Sequence, residues 1–150
     1  MSKQSQEKNM RKLGDLLSRD LGYIGGEREC GPNGDKKAFL KIGKTFLWNL
    51  SKDLKLSDAK ISVNPGGIAV SGECTLTGMW DGIGIYIQLS QPICGQEHVM
   101  LYRTVQNSSD CTSGQNRFVS LKNFQRGYYS WLLDALSAAK KEEARYAWAA

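Results

Sequence analysis

The stretch IAVSGECTLTGMWDGIGIYIQL, residues 68–89, decides the fold class. In its first part Ile68, Val70, Cys74 and Leu76 alternate with Ala69, Ser71, Glu73 and Thr75. After Asp81-Gly82, Ile83, Ile85, Ile87 and Leu89 alternate with Tyr86 and Gln88. A period of two places one set of side chains on one sheet face, and Gly-rich breaks join such runs as antiparallel neighbours. Upstream, Ile61 and Val63 suggest a short strand before the turn Asn64-Pro65-Gly66-Gly67. Downstream, a run from His98 to Val105 follows the Pro92–Gly95 break. The expectation is a meander with one buried face and one wet face.

On both sides of this region the apolar period lengthens. Residues 3–20 carry Leu13, Leu16 and Leu17 at helical spacing, with Leu21 just beyond. A second helix after Asp35 carries Phe39, Ile42, Phe46, Leu47, Leu50 and Leu54 in three- and four-residue steps. A closing helix is expected over residues 121–141, with Phe124, Tyr128, Trp131, Leu132, Ala135 and Ala139 as its apolar stripe, broadened by Leu133 and Leu136. The predicted class is α+β: a small antiparallel sheet of three to four strands with two or three helices packed on one face. At 150 residues the chain suits a single α+β domain over 1–150, with room for flexible residues at both ends.

The formal charge of +5 is unevenly distributed. Residues 1–60 hold 13 basic and 8 acidic side chains, whereas residues 61–118 hold Arg103 and Arg117 against four acids. Lys37, Lys41, Lys44, Lys52 and Lys55 fall mostly on the polar side of the second helix, which makes them candidate phosphate contacts in a nucleic-acid-binding alternative. A solvated helix face explains them equally well. No helix-turn-helix, zinc-finger or sheet-borne RNA signature accompanies them.

Composition narrows the chemistry. One histidine excludes a multi-histidine metal centre, and no metal or other cofactor is expected. Cys30, Cys74, Cys94 and Cys111 are expected as thiols in a cytoplasmic chain, with three disulfide pairings or a spatial zinc cluster as alternatives. The polar N-terminal residues, with no apolar run before Leu13, predict neither a secretory signal nor a membrane partner. His98 beside Glu97 suggests acid–base chemistry with Cys74, Cys94 or Cys111 and with Glu73 or Asp110. Adjacent strand residues point to opposite faces, however, so a structural histidine is the stronger reading. The segments Asn64–Gly67 and Gly82-Ile83-Gly84 lack the lysine and the strand–turn–helix context of a phosphate loop. No catalytic constellation is assigned.

The most distinctive polar segment is Leu101-Tyr102-Arg103-Thr104 followed by residues 107–118. Tyr102, Arg103, Asn116 and Arg117 carry planar hydrogen-bonding groups suited to a carboxylate, phosphate or peptide backbone. Arg103 interrupts the apolar phase of Val99, Leu101 and Val105, and pairing with Asp110 to hold the loop is weighed above ligand contact. With Tyr86 and Trp148, these four are the candidate partner-binding residues of a non-catalytic protein, the partner being another protein or a second copy in a homodimer.

The glycine-turn strand pair, the Tyr-Arg segment and the Asp110-x-Thr112-x-Gly114-x-Asn116 loop resemble small accessory proteins carried by plasmids and phages, over residues 66–125. Cys111 stands where those proteins commonly carry an aromatic, and Ser113 where they carry a second glycine. The resemblance implies a role in mobile-element biology, such as inhibiting or modulating a host defence protein or complex.

Overall fold

The alternation around Asp81-Gly82 folds into the centre of a five-stranded antiparallel sheet. The computed structural model describes residues 3–18, 23–24, 28–29, 35–64, 72–92, 96–108, 114–126, 134, 136–138 and 140–141. Two helices, α1 (Lys3–Leu17) and α2 (Asp35–Asp53), flank a small antiparallel pair, β1 (Tyr23–Ile24) and β2 (Arg28–Glu29). The main sheet follows in chain order as β3 (Ser57–Asn64), β4 (Glu73–Trp80), β5 (Ile83–Ser90), β6 (Val99–Val105) and β7 (Arg117–Ser120). Residues 121–126 are helical, as are the described positions from 134 to 141.

Two expectations need correction. The sheet has five strands rather than three to four, because β7 occupies the end of the segment read as polar loop. Arg117-Phe118-Val119-Ser120 is too short for its alternation to stand out, and its pairing with β6 supplies the missing signal. The strand expected over residues 68–76 instead runs Glu73–Trp80, continuing to the tight turn, while residues 65–71 lie outside the described residues. Of the closing helix expected over residues 121–141, every described position after Ser120 is helical, while Tyr128, Trp131, Leu132 and Ala139 lie outside the described residues.

Local chemistry sets the joints. Asp81 and Gly82 both have positive φ, 49° and 78°, which gives a two-residue turn whose twist matches the flanking strands. The turn brings Trp80 opposite Ile83 and fixes the whole β4–β5 register. At the end of α2, the amide of Leu56 donates to the carbonyl of Ser51 and that of Lys55 to Lys52, both at 3.0 Å. Lys55 takes φ 56°, so the helix closes in a Schellman motif with lysine in the place usually given to glycine.

The core lies between the helices and one face of the sheet. Cys74 pairs with Leu89, Leu76 with Ile87, Leu89 with Met100 and Ile87 with Tyr102, all buried and all on that face. From the helical side Leu13 and Leu16 of α1, Phe39, Phe46, Leu47 and Leu50 of α2, and Leu121, Phe124 and Leu136 close over them. Phe46 meets the edge of Phe124 at 6.0 Å between centroids, a favourable T-shaped contact. Asn9 is fully buried and donates from Nδ2 to the carbonyl of Phe46 at 3.1 Å, which locks the two helices together. Gly43 lets α2 approach closely: a Cβ there would stand 3.1 Å from Cys74 Sγ.

Candidate functional site

Among the described residues, the opposite face of the same strands carries half-buried and exposed side chains, apart from Val105 at the end of β6, which is fully buried. Register places Lys60, Thr77, Tyr86 and Arg103 in one row across β3 to β6, and Ser62, Thr75, Gln88, Leu101 and Phe118 in the next. Phe118 is 63% exposed and Val99 40% exposed, although both are large apolar side chains. Beside them runs a groove of about 270 Å³ bounded by Gln88, Ser90, Gln91, Pro92, Gln96, Glu97, Val99, Leu101 and Phe118. Apolar groups line its β6–β7 wall and polar groups its β5 wall and far end.

Side chains along this face hold one another in place. Tyr86 donates from its hydroxyl to Gln88 Oε1 at 2.8 Å, and Gln88 Nε2 donates to Ser90 Oγ at 2.9 Å, forming a polar ladder along β5. Arg103 lays its guanidinium over the Tyr86 ring, 4.2 Å from the centroid. This cation–π contact orders both side chains without neutralising the charge. At the far edge Ser108 donates from its hydroxyl to Asp58, beside a second polar depression shared with Lys60 and Thr77. Charge on the whole face is mixed, with Lys60 and Arg103 against Glu73, and Glu97 at the groove.

The structure separates the six sequence candidates. Tyr86 and Arg103 are brought together on the open face. Tyr102 is not there: it is buried at 7% exposure on the helix-covered side, opposite Arg117 in the register. Burial pushes the Tyr102 hydroxyl above its ordinary range, partly offset by the nearby Arg117 charge. Arg117 therefore belongs to the Tyr102 side, Asn116 is exposed just before β7, and Trp148 lies outside the described residues.

The phase of β6 is the reverse of that read from Val99 and Leu101, while Val105 at the strand end is fully buried. Met100, Tyr102 and Thr104 face the helices, because pairing with the isoleucine stripe of β5 sets the register. Arg103 is thus no breaker within a core phase; it lies half-buried on the face away from the helices, against Tyr86. The pairing with Asp110 falls on a residue outside those described. Gly114, by contrast, holds the polar segment to the sheet: its φ is 83°, and a Cβ there would come 2.2 Å from the Thr104 carbonyl oxygen. Phe118, the most exposed large apolar side chain among the described residues, had no periodic signal, since a four-residue edge strand is too short to show one.

The groups considered for catalysis are dispersed among the described residues. His98 is buried and stacked on Phe39 of α2, with ring centroids 6.0 Å apart. Cys74 is fully buried beneath α2, and burial pushes its thiol up to about 11 against a partial lowering by Lys44. Glu97 is exposed, while Cys30, Cys94, Cys111 and Asp110 lie outside the described residues. No three His, Cys, Asp or Glu side chains converge on a metal-sized site among the described residues. None of the described helices is long and apolar enough to cross a membrane.

Lys37, Lys41, Lys44 and Lys52 of α2 and Lys55 just beyond its end are all exposed. They form a separate surface, because α2 is turned by its apolar stripe onto the opposite side of the sheet. No family model, curated protein or solved structure matches the chain.

Proposed function

We propose that this is a non-catalytic binding protein that engages another protein through the open face of its main sheet. The observation that carries this reading is the apolar edge formed by exposed Phe118 and Val99 beside half-buried Leu101, flanked by the ordered polar groups of β5. Clustered exposed apolar groups with a polar surround match the anatomy of protein interfaces, where a few aromatic and arginine anchors supply most of the binding energy. Phe118 and the Tyr86–Arg103 pair are the anchors here. Mixed charge on this face favours a protein over a polyanion.

A narrower role, inhibiting or modulating a host defence protein or complex, rests on the resemblance of residues 66–125 to accessory proteins of plasmids and phages. It is one form of the same reading and needs no active site.

The test is capture by immobilised protein from host extract at moderate salt, run beside Phe118→Asp and Leu101→Asp. Wild type is expected to retain a stoichiometric protein that both variants lose while their circular dichroism stays unchanged. Absence of any stoichiometric partner under several conditions, or equal capture by the variants, overturns the reading. A dimer seen by light scattering and abolished by Phe118→Asp would assign the face to a second copy instead.

A further inference from the structure

We propose that the outer side of α2 is a second, independent binding surface that takes single-stranded nucleic acid. Lys37, Lys41, Lys44, Trp48, Lys52 and Lys55 follow one another at steps of three or four residues, and all six are exposed. From Lys37 to Lys52 the line extends roughly 22 Å along a helix whose opposite side is anchored by Phe39, Phe46, Leu47 and Leu50. The acid nearest the end of the line, Asp53, is turned inward at 1% exposure, so no carboxylate interrupts the stripe from Lys37 to Lys55. Trp48 stands mid-line at 45% exposure, with Lys52 Nζ 5.5 Å from the ring centroid.

Each part of this arrangement suits a nucleic-acid strand. A row of lysines follows a phosphate backbone and gains free energy by releasing its counterions. An indole held among them offers a stacking platform to one base without demanding a particular sequence. A duplex hides its base faces, so Trp48 favours an unpaired strand. An anionic membrane fits less well: surface-bound helices insert a broad apolar side, and that side of α2 is already in the core. The open sheet face differs in carrying both signs of charge, so the two surfaces select different ligands.

Fluorescence anisotropy with labelled oligothymidylate and oligouridylate, over a salt series, tests the proposal on the intact chain. Binding should weaken with salt along a log–log slope of about −3, as expected for roughly four or five lysine–phosphate contacts on a single strand. Trp48→Ala should weaken binding on the order of tenfold, with Trp48→Phe retaining most of it. Lys41→Gln/Lys44→Gln/Lys52→Gln should flatten the slope by about 2. Lys8→Gln/Arg11→Gln/Lys122→Gln removes the same charge from other exposed positions and should leave the slope unchanged. No binding at low salt overturns the proposal. So does equal binding to duplex DNA, polyglutamate or phosphatidylserine vesicles, or an equal effect of the control triple variant.

Discussion

The two faces of the main sheet are built from alternate residues of the same strands, yet they differ in almost every physical respect. On one side Leu76, Ile85, Ile87, Leu89 and Met100 lose contact with water entirely or nearly so beneath the helices. On the other, Thr75, Tyr86, Gln88, Leu101 and Phe118 remain in reach of solvent, with Tyr86 and Gln88 ordered by hydrogen bonds and a cation–π contact. Stability resides on the covered face, and the proposed recognition surface is the open one. An apolar residue therefore means different things according to its phase: Leu76 is structural, and Phe118, on a short edge strand, is available to a partner.

Truncation on the covered face gives the largest effect that sharpens this contrast. Phe46→Ala removes a fully buried ring packed against Phe124 and should cost about 3–5 kcal/mol in urea unfolding. A loss below about 1 kcal/mol would mean that the helices do not seal the sheet as described. Phe118→Asp should stay within about 0.5 kcal/mol of wild type in the same titration, since the side chain is already solvated. A large destabilisation there would erase the distinction between the faces.

Gly114→Ala should cost about 2–4 kcal/mol, because it adds a strained positive φ to a steric conflict with the Thr104 carbonyl. Unfolding midpoints measured beside Phe118→Asp would show whether the polar segment is anchored through the β6 backbone. An unchanged midpoint for Gly114→Ala would release the segment from that structural role.

The pH dependence of the covered face is smaller and has a definite sign. Cys74 is held as a neutral thiol, with its pKa raised from 9.0 to about 11 by burial. In the window between these values the unfolded chain loses the proton while the folded chain retains it, so unfolding becomes easier as pH rises. Stability should be flat with respect to this group below about pH 9 and fall by on the order of 2 kcal/mol toward pH 11. Tyr102 is shifted in the same direction, so the part due to Cys74 is the difference between wild type and Cys74→Ala. Identical pH profiles for the two proteins would contradict the assignment of the thiol to the core.

The contrast between the faces also explains how far the sequence could be read. Helix α2 and the β4–β5 hairpin were legible because each carries a long, clean period and a local stop signal, such as Asp81-Gly82. The first strand edge, the isoleucine stripe and the basic helix side followed from the same periods. Strand β7 was not legible, since Arg117–Ser120 is read as a strand only after β6 is beside it. The phase of β6 misled for a related reason. Val99 and Leu101 look more apolar than Met100 and Tyr102, and only pairing with Ile87 and Leu89 reverses the assignment; Val105 at the strand end is buried all the same. Of the candidate site, Tyr86 and Arg103 were recognised individually, but their juxtaposition and the part played by Phe118 are products of register. Trp48 was hidden in a different way: it follows Leu47 in a dense apolar run, and only its helical phase places it among the lysines.

The central claim is that the open sheet face is the protein-binding surface and that it works independently of the α2 stripe. Quantitative partner capture at moderate salt, comparing wild type, Phe118→Asp and Lys41→Gln/Lys44→Gln/Lys52→Gln, tests it directly. Capture should fall at least tenfold for Phe118→Asp and stay unchanged for the lysine triple variant, as expected when an aromatic anchor rather than a rim charge dominates the interface. Loss of capture in the lysine variant with full retention in Phe118→Asp would contradict it.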